Sequence, residues 1–341
     1  MTIAILLSSI ASLSAAALGQ ESQEPTPAPS PPAYLQPTPP EAATAAEPDT
    51  HLFPLWGDKV RKAGFELPPA FGVMVNYYYQ KSGVQLSNLK LGINDGPLRD
   101  ASFIQFGDSE AKASALAVRP SFMLFPFLTF YGLISSGHST TDVTLTSPIQ
   151  FTTQAKSGAW VVALGTTLQV GYKGFFLVAD FNASLADVER ISDLMGANLL
   201  SFRVGYNYRF GLPGRGFAFW LGTSGQVIGL DTAGNVKLAD VLPPPSQDQV
   251  DKVNARCDEL RPNDPRKQVC TDFANKLQSW VNGSDPAASV AYSLEKKPTD
   301  IWNMLVGAQF SLDRSWHFRV EVGFWGRVSV LVGTEYRFDI W

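Results

Sequence analysis

The chain has 341 residues, 45% of them hydrophobic and 17% charged, and a formal net charge of -4. That charge content is below the roughly 25% of an average soluble protein, so few ionic side chains are available to cover a surface. A slightly acidic balance argues against nucleic-acid binding, which calls for a clustered basic excess, and no apolar run of about 18 residues after the N-terminus offers a helical membrane span.

Residues 1–19 are apolar and small, and Ala17-Leu18-Gly19 before Gln20 has the small-x-small form of a signal-peptidase site. They read as an export signal without the usual n-region cation; a short buried helix is the alternative. Residues 20–50 are Pro, Ala, Thr and Glu with almost nothing to bury, which predicts a disordered spacer or a contact with cell wall or a periplasmic partner. Residues 51–69 place Leu52, Phe53, Leu55, Trp56 and Val60 together. They read as an amphipathic segment at the periplasmic rim of a barrel, with a plug in its mouth as the alternative.

From residue 70 to residue 341 the sequence is punctuated by Gly, Pro and Asn into alternating stretches of about ten residues, the length that a tilted strand needs to cross a bilayer. Ten are predicted, over 70–80, 113–124, 127–137, 158–171, 174–186, 199–210, 216–228, 301–312, 315–325 and 327–338; a hairpin within 84–95 would make twelve. Short turns at Pro126-Phe127, Tyr172 to Gly174, Leu212 to Gly216 and Asp313 to Ser315 alternate with long connections at 80–112, 137–157, 185–199 and 229–300. Sorting short and long connections to opposite ends is the habit of an all-β, transmembrane, antiparallel up-and-down barrel. Soluble sandwiches have no reason to sort loops this way, and their strands average only about five or six residues.

Period-2 alternation defines two faces without naming them. In the last strand Val328, Val330, Val332, Thr334, Tyr336 and Phe338 oppose Arg327, Ser329, Gly333, Glu335 and Arg337. The interface aromatics Trp160, Tyr172, Phe202, Tyr206, Phe210, Phe318, Tyr336 and Phe338 share the apolar faces, and no helix follows these strands to cover them. The apolar face therefore meets lipid. Arg119, Asp180, Arg203, Arg209, Arg319, Glu321, Glu335 and Arg337 are then expected in the lumen as a mixed-sign network, because a charge on the lipid face costs about 2–4 kcal/mol near the midplane.

Signal, spacer, alternating strands and the terminal Tyr336-x-Phe338 strand resemble bacterial outer-membrane β-barrel proteins, over the chain from about Ala70 to the end. The segment "RPSFMLFPFLTFYGL" (Arg119 to Leu133) is similar to a strand-turn-strand of poorly characterised, porin- or transporter-like members. The resemblance implies a Gram-negative outer membrane, lipid and barrel-inserting machinery as partners, and an aromatic assembly signal at Phe338 or Trp341. It also implies a narrow pore or transporter for small solutes. A non-conducting barrel that displays its external loops is the alternative, since ten strands enclose less than the about sixteen of an open porin.

Within 230–300, Val250, Val253, Cys257 and Leu260 recur at helical spacing, as do Val269, Phe273, Leu277 and Trp280. This predicts a helical hairpin in an external insert that caps the mouth, binds a partner or merely decorates the barrel. Cys257 and Cys270 are the only cysteines, and an oxidising compartment favours a disulfide. No His lies near enough to complete a metal site, and no cofactor motif occurs. Catalysis is not expected. Its one candidate, a rim hydrolase, would use His138 beside Ser135, Ser136 and Ser139, since His51 lies by the spacer and His317 follows a short turn.

Overall fold

A computed structural model describes residues 52–62, 66–93, 96–189, 194–212, 214–228, 231–237, 244–283 and 289–340. The expected export signal, the spacer, His51 and Trp341 lie outside the described residues. In chain order the elements are α1 (Gly57–Lys62), β1 (Phe71–Gly92), β2 (Arg99–Asp100), β3 (Gln105–Phe106), β4 (Ser109–Phe125), β5 (Leu128–Ser147), β6 (Phe151–Tyr172) and β7 (Phe175–Val188). After them come β8 (Met195–Arg209), β9 (Gly216–Ile228), β10 (Asp231–Lys237), α2 (Gln247–Asp258), α3 (Pro265–Val281), β11 (Ser289–Pro298), β12 (Trp302–Ser311), β13 (Trp316–Phe324) and β14 (Arg327–Phe338).

Ten strands form a closed antiparallel barrel in the order β1, β4, β5, β6, β7, β8, β9, β12, β13, β14. It closes because β1 pairs with β4 on one side (Phe71 opposite Phe122) and with β14 on the other (Phe71 opposite Phe338). Closure satisfies the wall's backbone donors and acceptors without water, a requirement for any backbone that crosses hydrocarbon.

The polarity is inside out. Along β13 the odd positions His317 and Glu321 are buried while Phe318, Val320, Val322 and Phe324 are exposed; along β14 Arg327, Ser329 and Arg337 are buried while Val328, Val332 and Tyr336 are exposed. The outward positions of β12, β13 and β14 carry no Asp, Glu, Lys or Arg. A continuous apolar exterior of this extent is far larger than a soluble monomer exposes, so the barrel spans a membrane. The nine residues of β13, at about 3.3 Å each and a tilt of about 40°, rise roughly 23 Å, close to the apolar band of about 25 Å in such barrels.

Aromatics edge the belt at both ends. Toward the short turns Phe122, Phe71, Phe338, Tyr336 and Trp316 form a contiguous row with centroids 4.9–6.1 Å apart, stacked except for the tilted Trp316; Tyr206 packs edge-on to Phe175 at 5.0 Å and is therefore only half exposed. Tyr172, Phe202, Phe210 and Phe318 are exposed on the same outer face. At the long-loop end stand Trp160, Trp302 and Trp325, the last on a tight turn with positive φ at Trp325 and Gly326. The segment 52–62, with the six-residue α1, packs at the short-turn rim against the end of β4. Phe53 meets Phe122 edge-on at 4.8 Å, Trp56 lies 4.9 Å from Phe125, and the Leu55 amide donates to the Leu124 carbonyl.

The structure corrects the loops. Residues 84–92 form no extra hairpin; they continue β1 beyond the barrel, where it pairs with β11 in place of β14. Likewise β5 and β6 run on past the belt to Ser147 and Phe151. These extensions are polar on both faces (Ser139, Thr140, Thr141, Asp142), so apolar alternation marks the strand only where lipid covers it.

Candidate functional site

The lumen is lined by side chains tied together in layers. In the middle layer Glu321 accepts from Arg203 Nε at 2.7 Å and Nη2 at 3.0 Å, from Trp220 Nε1 at 2.7 Å and from Arg319 Nη2 at 2.9 Å. Arg203 also donates to Ser201 Oγ at 2.8 Å, and Arg319 lies over the Trp220 ring at 4.8 Å. Four donors saturate the carboxylate. Around the wall, Asp180 accepts from Thr167 Oγ1 at 2.6 Å, from Tyr131 Oη at 2.8 Å and from Arg119 Nη2 at 3.4 Å, while the Arg119 guanidinium stacks 3.6 Å from the Tyr131 ring. Such clusters are stable in a low-dielectric interior only when nearly every partner is supplied.

Glycines make room for the two rings. Gly165 stands opposite Tyr131 and Gly307 opposite Trp220 in register, and a Cβ on either would overlap the ring. Glu321, Trp220, Ser201, Asp180 and Tyr131 are all buried, so the middle of the lumen is filled in this state.

Below this layer Arg337 pairs with Glu335 at 3.1 Å and donates to the Pro69 carbonyl at 3.0 Å. Above it Arg327 donates to Gln226 Oε1 at 2.7 Å, Asn303 Oδ1 at 2.9 Å and Ser224 Oγ at 3.0 Å. Arg209 stands apart from the network. It is exposed at the short-turn rim with Glu66 at 3.9 Å, because it is the last residue of β8 and lies beyond the lumen. The network expected from the sequence does not include Tyr131, Trp220, Asn303 or Ser224, nor Arg327, although alternation along β14 sets Arg327 on the polar face. Trp220 was findable: it falls between the members of the outward apolar series Phe217, Phe219, Leu221, on the opposite face.

Over the mouth sits a folded cap. Asn88, with φ of 53°, is in a β-bulge where Asn88 and Leu89 of β1 share the interval that Leu294 alone fills on β11, so Leu89 and Leu91 join Leu86 on the lumen-side face. On β11, Val290, Tyr292 and Leu294 share that face. Against it pack Val250, Val253 and Cys257 of α2 and Val269, Cys270, Phe273 and Leu277 of α3, and Leu145 and Ile149 at the far tip of β5 join the same core. The cap is thus anchored on the neighbouring strands β11, β1 and β5 at the long-loop rim. Ser246 caps α2 in a capping box and Asp264 caps α3; Cys257 and Cys270 join the helices with Cα atoms 5.5 Å apart. Beneath, Lys296 Nζ extends from β11 to Thr141 Oγ1 on β5 at 3.4 Å.

No protein-family model and no curated protein matches the chain. Among solved structures it is similar to the β domain of the Bordetella autotransporter BrkA, at 10% identity over 79% of this chain and 100% of that one, with a TM-score of 0.38. It is similar to the outer membrane protein OprG of Pseudomonas aeruginosa, at 10% identity over 80% and 98% of the two chains, with a TM-score of 0.39. An outer membrane channel of Pseudomonas putida F1 matches at 11% identity over 80% and 97%, with a TM-score of 0.29. At these values nothing of those proteins' activities transfers to this chain.

His138 faces outward, away from the lumen. With Ser136, Trp160, Asp187 and Glu189 it lines a shallow recess of about 210 Å³ at the long-loop end. Among the described residues no hydrogen bond joins His138 to Ser136, and Ser135 is buried on the lumen side. The Ser-His relay that a hydrolase requires is not assembled. His317 holds Ser311 at 2.8 Å at the short-turn rim.

Proposed function

We propose that this protein is a bacterial outer-membrane barrel that passes small solutes through a narrow lumen, with the cap and the Glu321 layer as its closed gate. The observation that carries this reading is the chemistry of the interior. It is polar and ion-paired along the barrel axis, with further polar side chains above and below the Glu321 layer, and a separate helical element rather than the wall stands at its long-loop mouth. Membrane insertion would proceed through barrel-inserting machinery that reads the aromatic end of β14, at Phe338 or Trp341. Recording in planar bilayers tests the reading: the purified chain gives discrete conductance steps, and reduction of Cys257–Cys270 or replacement of Glu321 raises their frequency.

Burial of Glu321, Trp220 and Ser201 across the middle of the lumen favours a second reading, a non-conducting barrel that displays its cap. Silence of the native, reduced and Glu321-replaced proteins alike selects that reading.

A further inference from the structure

The cations of the lumen outnumber its carboxylates. Arg203 and Arg319 share Glu321, Arg119 has Asp180 and Arg337 has Glu335. Arg327 has no carboxylate among the described residues. Its guanidinium is held by the neutral oxygens of Gln226, Ser224 and Asn303, the residue is 2% exposed, and its buried Nε meets no partner. A buried guanidinium solvated only by neutral dipoles is costly, and an anion beside it relieves that cost.

Lys296 repeats the pattern higher on the same wall. It stands opposite Leu86 of β1, whereas Arg327 stands opposite Ser82, a separation of four residues or roughly 13 Å along a strand. Its ammonium reaches only the Thr141 hydroxyl, and burial pushes it below the ordinary lysine value. The adjacent Glu295 points to the opposite face, where it pairs with Lys297 at 3.2 Å and accepts from Asn88 at 2.7 Å. Asp142, next to Thr141, is likewise engaged on the outer face by Lys112 and Gln154. No carboxylate of these two elements turns toward Lys296.

We propose that the upper lumen, between Lys296 under the cap and Arg327 below it, binds the oxyanion of a small solute, a carboxylate or a phosphate. Arg327 is the seat, because a planar guanidinium with a free N–H suits an oxyanion. Lys296 is the first contact at the mouth. The assignment rests on the pore reading for the solute's route, though not for the site itself.

The test uses the full chain in detergent micelles, titrated with inorganic phosphate and separately with acetate at constant ionic strength held by a bulky sulfonate, and read by calorimetry and melting. Saturable binding is expected with one or both anions, weakened at least about tenfold by Arg327→Met and by a smaller factor by Lys296→Met. Lys81→Met, on the outer face, leaves it unchanged. Absence of saturable binding in the unmodified protein overturns the proposal even if Arg327→Met does not fold, as does unchanged affinity in both lumen variants. Planar-bilayer records separate this from the pore reading. Anion binding by a silent barrel removes the pore and leaves the site, whereas conduction that favours cations, without anion binding, removes the site and leaves the pore.

Discussion

Replacing Glu321 by Gln keeps the side chain's volume and removes the charge that holds the middle of the barrel. The carboxylate faces Arg203 at 2.7 Å and Arg319 at 2.9 Å, with Arg203 13% and Glu321 8% exposed as side chains, so solvent does little to screen either pair. Removing one partner of a buried pair costs about 3–5 kcal/mol. Here one anion serves two guanidinium groups and the Trp220 indole. A glutamine also turns an NH2 toward donors. The upper half of that range is therefore expected, with little cavity contribution because volume is conserved. Equilibrium unfolding by urea in lipid vesicles, followed by tryptophan fluorescence and gel mobility, measures it. Combining Glu321→Gln with Arg203→Met should recover part of the loss, the coupling that a double-mutant cycle isolates. If Glu321→Gln unfolds within about 0.5 kcal/mol of the unmodified barrel, the lumen is hydrated and the network does not hold the wall together.

Val320→Lys places a charge on the outer face near the middle of β13 and should cost about 2–4 kcal/mol in vesicles; in a soluble detergent-free fold the same change would be harmless, so a null result refutes the membrane assignment. Cys257→Ser with Cys270→Ser opens a 13-residue link that is worth about 3 kcal/mol in the chain-entropy description. Amide exchange should rise in α2 and α3 and stay unchanged in β6 to β8. Asp264, bonded to the Arg266 side chain and amide, has its carboxyl held down from 3.8 to about 2. A depressed carboxylate contributes stability that is complete above its unfolded value and is lost as pH falls through the folded one. Protection at the start of α3 should thus persist from neutral pH to about 4 and fall away toward 2, and Asp264→Asn should abolish that pH dependence.

The wall was legible in the sequence. Alternation and turn residues are local signals, and β9 over Gly216–Ile228 and β14 over Arg327–Phe338 have the bounds that period 2 predicts. The direction of the faces also came from local pattern, through aromatics such as Trp160 and Phe318 that no helix was available to cover. The helices of the cap were marked by the spacing of Val250, Val253 and Cys257.

Other features depended on the tertiary structure. Glu321 finds Arg203 across 118 residues because barrel closure and strand stagger bring β8 and β13 to one height, a non-local outcome that no window of sequence contains. Arg209 has the same alternation as Arg203 but is left at the rim by its distance along the strand. The exchange of β14 for β11 along β1, and the bulge at Asn88 that turns Leu89 and Leu91 toward the cap, decide that the helices lie over the mouth. Pattern alone names a residue's face; register and closure decide what meets it there.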